Sequence, residues 1–242
     1  MNETKGSSSW GTAVAGGVIG SVLTAALLLF AAPHYLSSRI VRHGMLSDPQ
    51  ILADAADALR DSQFAPVLNA NRTAIETPFG SSWKGSSKPD VTLVEFFDYR
   101  CPYCKQVVPA LDALLAKDKQ LRFVYKEFPV LGPDSVHAAR AALAAGKQGK
   151  YEAMHRALMA IKGQLDEPAI MKVAASVGLD VERLKTDMAA PETDRALKAN
   201  VKLAEALDIH GTPGFVIGDE IVPGAVGLDE LKRLIEAARR GK

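Results

Sequence analysis

Val91-Thr92-Leu93-Val94-Glu95-Phe96-Phe97-Asp98-Tyr99-Arg100-Cys101-Pro102-Tyr103-Cys104-Lys105 is the stretch from which the rest of the chain can be read. Its first seven residues are rich in β-branched and aromatic types, as a buried strand requires. After it, Val107, Val108, Leu111, Leu114 and Leu115 recur at helical spacing, and Pro109 inside that run predicts a kink. Cys101 and Cys104 stand at the junction and are the only cysteines in 242 residues. A sulfur at the start of a helix lies over free N–H groups, which stabilise the thiolate, the species that attacks disulfides. The residues therefore point to thiol–disulfide exchange. Half a zinc site is a poor alternative, because structural zinc takes four ligands and no second Cys-x-x-Cys or His pair exists. A purely structural disulfide is another, but closing so short a loop removes little unfolded-state entropy. Holding Cu(I) between the two thiolates stays open as a different class of function.

Composition narrows the field. Lys and Arg total 29 against 28 Asp and Glu, so the chain lacks the basic footprint of a nucleic-acid binder. Hydrophobic residues make up 48 %, enough for a packed core. With no further cysteines the fold must be held by packing rather than by structural disulfides.

Residues 1–11 read as a short polar tail. Residues 12–32 carry no charge and end at Pro33; 21 helical residues span a bilayer core of about 30 Å. A cleaved signal peptide has a shorter apolar region and a better small-residue site, so the reading is an uncleaved, single-pass signal anchor through residues 12–32. Lys5 on one side and Arg39 and Arg42 on the other leave orientation unsettled by charge. Residues 33–80 read as a helical extension. One helix starts at Ser47-Asp48-Pro49, with Ile51, Leu52, Ala55 and Leu59 on one face, and a weaker second carries Phe64, Val67, Leu68 and Ile75. This is either a stalk on the main domain or an element for homo-oligomerisation, since so thin a segment cannot bury its own stripe. Gly80–Pro89 reads as a linker with Trp83 as an anchor point.

Leu121–Glu127 reads as a second strand, ended by Phe128-Pro129. Residues 133–207 read as almost entirely helical, with starts at Asp166-Glu167-Pro168 and Asp180. Met154, Met159, His137 and His155 fall there as packing or surface positions rather than ligands. Gly211–Ile217 reads as a turn followed by a strand, with which Ile221-Val222 pairs back around Gly218-Asp219-Glu220, and Leu228, Leu231, Leu234 and Ile235 line a closing helix. The order predicts an α/β thioredoxin fold, first two strands parallel and last two antiparallel, with a helical insertion between the second and third core strands.

Phe96–Lys105, Tyr125-Lys126-Glu127-Phe128-Pro129 and Gly211-Thr212-Pro213 resemble three separated motifs of the DsbA family of thioredoxin-fold oxidoreductases, over roughly residues 90–242. Asp48-Pro49-Gln50-Ile51-Leu52 resembles the N-terminal region of ScsC-type members, some of which trimerise and act as isomerases. The resemblance implies that Cys101 is the attacking and more exposed sulfur and Cys104 the resolving thiol, with no cofactor and no metal. Pro102 and Tyr103 would tune the redox pair and meet substrate, while Arg100 and Lys105 would favour the thiolate. Pro213 matches the family's cis-proline, leaving the Thr212 backbone free to pair with a substrate strand. Thr at that place is more typical of isomerases and reductases. Glu95 corresponds to a carboxylate beneath the disulfide that helps proton transfer for Cys104. His210 precedes the Gly-Thr-Pro loop and either approaches Cys101 or is an exposed turn residue. The partners implied are unfolded or misfolded cysteine-containing proteins and a membrane redox partner, with the catalytic domain in the periplasm or otherwise extracytoplasmic.

Overall fold

The computed structural model describes residues 41–48, 50–80 and 82–240. The apolar run 12–32 and the tail before it lie outside the described residues. Among the described residues no helix is long and apolar enough to cross a membrane. The chain divides into two compact units, with the break after Arg60.

The second unit is built on a five-stranded sheet. In chain order its strands are β1 (Trp83–Gly85), β2 (Val91–Phe97), β3 (Leu121–Glu127), β4 (Gly214–Ile217) and β5 (Glu220–Pro223). They lie in the order β1-β3-β2-β4-β5. β2 runs parallel to β3, with Val91 opposite Leu121 and Phe97 opposite Glu127. β4 is antiparallel to β2, and β5 to β4. This is the thioredoxin arrangement expected from the sequence. β2 is buried at every position, so its apolar residues fall on both faces rather than in alternation, with Thr92 and Glu95 the polar exceptions.

Alternation still decides which side chain meets which layer. Val91, Leu93 and Phe97 pack with α2 (Pro102–Lys117), α8 (Leu228–Arg240) and the insertion helices. Val94 and Phe96 pack on the other face with Leu68 and Ile75 of α1 (Gln50–Glu76) and Leu203 and Leu207 at the end of α7 (Pro191–Ala206). The insertion comprises α3 (Pro133–Gly146), α4 (Tyr151–Met159), α5 (Glu167–Ser176), α6 (Val181–Met188) and α7. Helix α3 is its hub: six buried alanines let its neighbours approach closely. The two acidic starts expected from the sequence are side-chain caps, Asp166 accepting from the Ala169 amide at 2.9 Å and Asp180 from the Arg183 amide at 3.0 Å.

Two expectations change. The segment 80–89 is not merely a linker, because Trp83–Gly85 pairs antiparallel with β3, Trp83 opposite Val124. Arg122 donates to the Ser86 carbonyl at 2.9 Å and stacks its guanidinium over the Trp83 ring. Three residues among serines, glycines and lysines carry no strand signal of their own; the partner strand supplies it. The two helices expected over 47–75 are one, running through Pro66. Tertiary bonds hold its last turns. The buried Lys126 ammonium donates to the carbonyls of Ala74 and Thr77, both at 2.8 Å, where the helix leaves its final acceptors unfilled.

Gly85 has φ +93°, and a Cβ there would stand 2.3 Å from the Leu121 carbonyl oxygen. Gly85→Ala should cost about 1–2 kcal/mol from backbone conformation alone, before the clash is counted. A lowered urea midpoint is the expected result; an unchanged midpoint would mean that β1 does not contribute to the folded sheet.

Candidate active site

β2 delivers the chain to a turn in which the Cys101 amide donates to the Asp98 carbonyl at 3.1 Å. Cys101 then takes the extended backbone of an N-cap, with φ −72° and ψ 117°, and Pro102 opens α2 where a missing N–H costs nothing. The Cys101 Sγ accepts from the Cys104 amide at 3.4 Å, so it sits on the positive end of a 16-residue helix. Its thiol also donates to the Thr212 carbonyl at 3.2 Å. The Thr212–Pro213 peptide is cis, and Pro213 is buried behind it. Two sequence motifs separated by more than a hundred residues therefore meet at one sulfur.

Both cysteines are free and buried, Cys101 retaining 3 % of its surface and Cys104 none. The exposure difference expected between them is real but small. Their neighbours differ more. Burial pushes the Cys104 thiol far up, the Glu95 carboxylate and Cys101 add to this, and the Asp98 amide works against them. Pro102 and Tyr103 between the cysteines are exposed, Tyr103 at 60 %.

Glu95 lies on the inner face of β2, opposite Tyr125 on one side and Phe215 on the other. It is 2 % exposed, and its Oε1 has no hydrogen-bond partner among the described residues. It lines a cavity of about 20 Å³ together with Val108, Leu111, Tyr125 and His155, room for a single water. Burial in this setting raises its carboxyl from the ordinary 4.5 to about 8.

The other charged candidates are engaged elsewhere. The Arg100 guanidinium donates to the Leu131 carbonyl at 2.6 Å, and the Lys105 ammonium to the Ile161 carbonyl at 2.5 Å. His210 is exposed and bonded to Asp208 at 2.8 Å, the turn-residue alternative. Among the described residues no group of three or more His, Cys, Asp or Glu is placed to hold a metal ion.

Residues 92–236 match the family described as DSBA-like thioredoxin domain. The chain belongs to that family. A thioredoxin-like oxidoreductase from Silicibacter pomeroyi is 44 % identical, with a TM-score of 0.68, covering 70 % of this chain and 98 % of that one. A linker-deleted variant of Proteus mirabilis ScsC is 30 % identical, also at 0.68, covering 88 % of this chain and 97 % of that one. A Na+/H+ antiporter NhaA of Salinispora arenicola is 31 % identical over 160 residues, 65 % of this chain and 24 % of that protein. The chain thus spans about a quarter of the length of the curated relatives it matches. The DsbA-like fold and its oxidoreductase neighbours support a thiol–disulfide oxidoreductase.

The sequence reading missed a buried network behind the loop that carries Tyr99 and Cys101. The hydroxyls of Tyr99 and Tyr151 both donate to Glu127 Oε1, at 3.0 and 2.8 Å, and His155 Nδ1 meets the Tyr99 hydroxyl at 3.1 Å. His155 is held neutral, burial pulling it down to about 4, while burial pushes the Glu127 carboxyl well above its usual range. An acid closing the strand Leu121–Glu127 directly before the apolar Phe128 was the available signal.

A carboxyl whose folded pKa is raised contributes stability that is complete below its unfolded pKa and lost as pH rises through the folded one. For Glu95 that window runs from 4.5 to about 8. Relative to wild type, Glu95→Gln should therefore gain stability between about pH 5 and about pH 9, read as diverging urea midpoints. A constant offset across that range would show that Glu95 is not held neutral by the fold.

Proposed function

We propose that this chain is a protein thiol–disulfide oxidoreductase working outside the cytoplasm, with Cys101–Cys104 as its redox pair. The observation that carries this is the placement of Cys101 Sγ on the free amides of α2 while Cys104 is buried beside Glu95. Cys101 Sγ lies on the start of α2, and a proton on Cys104 is favoured by its buried surroundings.

In the oxidised form a substrate thiolate attacks Cys101 Sγ and the Cys101–Cys104 bond breaks. Cys104 departs with the electron pair and takes a proton, for which Glu95 is the adjacent donor up to about pH 8. A second substrate thiolate then attacks the substrate sulfur of the mixed disulfide and expels Cys101 as thiolate. Two substrate thiols have become one disulfide, and the pair has gained two electrons. Run in reverse, reduced Cys101 attacks first and Cys104 provides the escape route, which is isomerase or reductase work. The Thr212 backbone lies beside Cys101 to pair with a substrate strand, with Pro213, Pro102 and Tyr103 framing it.

Residues 12–32 would anchor the enzyme in the cytoplasmic membrane, where a membrane redox partner resets the pair; family membership supports the extracytoplasmic side. Residues 33–80 carry a second reading, assembly of copies into an oligomer. Val41, Leu46, Ile51 and Leu52 are exposed, at 46–72 %, and the ScsC likeness extends over 88 % of the chain.

Cys101→Ser should abolish exchange with a reduced, unfolded polypeptide, whereas Cys104→Ser should accumulate a mixed disulfide visible on a non-reducing gel. A Cys101→Ser protein that still exchanges would sink the assignment. The reduction potential of the pair sets direction: near about −120 mV an oxidant, below about −250 mV a reductant. Sedimentation of residues 33–242 should give an oligomer that residues 61–242, the second compact unit, do not; monomers in both would remove the assembly reading.

A further inference from the structure

Glu95 needs an acceptor that the exchange chemistry does not name. Up to about pH 8 its carboxyl carries a proton, yet its Oε1 has no partner among the described residues. A buried neutral acid needs somewhere for its O–H to donate. The groups around its cavity of about 20 Å³ narrow the choice. On α4 the Glu152 carboxylate accepts from Tyr125 of β3 at 2.8 Å, from Arg156 at 2.7 Å and from Lys84 of β1 at 2.9 Å. Arg156 also donates to Asp112 of α2 at 3.1 Å. These five groups satisfy one another. Cys104, the other titratable neighbour, is the group that receives the proton. Among the polar side chains lining the cavity, His155 of α4 is the one left to accept.

The state of His155 follows from counting protons. It is 5 % exposed and packed among the rings of Phe97, Tyr125 and Tyr151, and burial holds it neutral. The Tyr99 hydroxyl has one proton and gives it to Glu127 Oε1, which takes a second from Tyr151. Oε1 stays the accepting atom whether or not Oε2, which has no partner among the described residues, holds a proton. The Tyr99 oxygen, 3.1 Å from His155 Nδ1, can then only accept, so Nδ1 carries the imidazole proton. Nε2 is left with a bare lone pair, the nitrogen available to the cavity that His155 shares with Glu95.

We propose that His155 is a positioning residue for Glu95, its Nε2 accepting from the Glu95 carboxyl through a single water in their shared cavity, with Tyr99 and Glu127 fixing the tautomer. This rests on the exchange function proposed above and deepens it. The helical insertion, not the sheet alone, holds the proton destined for Cys104. With the proton on Nε2 instead, His155 would donate toward Glu95 and favour its ionised form.

Three measurements on the full chain test this. The imidazole 15N spectrum of wild type should show His155 protonated on Nδ1; a proton on Nε2 would overturn the proposal with no variant needed. Tyr99→Phe deletes one oxygen that does not line the Glu95 cavity and frees His155 to move its proton to Nε2. The Glu95 carboxyl, followed by 13C NMR and assigned with Glu95→Gln, should then bind its proton about tenfold less tightly. An unmoved titration in folded Tyr99→Phe would overturn the proposal, and if that variant does not fold the wild-type spectrum decides. The ratio of variant to wild-type kcat for oxidising a reduced, unfolded polypeptide should fall about threefold between about pH 6 and about pH 7.5. A constant ratio with a lowered melting temperature would give Tyr99 a merely structural role and also overturn it. Wild type that passes both spectroscopic tests but exchanges no disulfide would overturn the exchange function and leave the positioning of Glu95 standing.

Discussion

A single sulfur accepting a single amide, Cys101 Sγ from the Cys104 N–H, is what the remaining architecture serves. The bond is weak by itself. It matters because a helix start presents several unfilled N–H groups in one direction, and only a thiolate placed over them gains from their summed field. To place it there the chain must end a buried strand, turn within three residues and begin a helix with no N–H wasted. β2, the Asp98 turn and Pro102 meet those three requirements.

The surroundings then separate two residues that are chemically the same. Cys104 is one helical turn from Cys101, yet it faces Glu95 and the inner side of the sheet, where charge is disfavoured. Glu95 is itself kept neutral across most of the physiological range by burial and by the lack of a cationic partner among the described residues. One cysteine thus faces the amides of a helix start, and the other lies where a proton is favoured. The fold creates that difference with a distance of three residues.

Much of this could be read in the chain because local signals agreed with the global fold. The apolar run of β2, the Cys-x-x-Cys junction and the capping residues Asp166 and Asp180 each state their structure within a few positions. What escaped reading depends on partners far away in sequence. Trp83–Gly85 becomes a strand only because β3 lies beside it, and Pro66 is carried within a helix whose end is held by Lys126. Glu127 and His155 meet through Tyr99 across intervals of 28 and 56 residues, which no periodicity reports. The bonds of Arg100 and Lys105 to carbonyls of neighbouring loops are likewise set by partners far away in sequence.

The strand order has a further consequence for a protein that would handle unfolded chains. The two edges of its sheet are β1, three residues long, and β5, four residues ending in Pro223. An edge strand with unpaired amides is a template on which another extended chain can build, and length sets how strong a template it is. Here both rims are short, and one stops at a residue that cannot donate. A chain that met unfolded polypeptides would thus lend them little of its own sheet as a seed for aggregation.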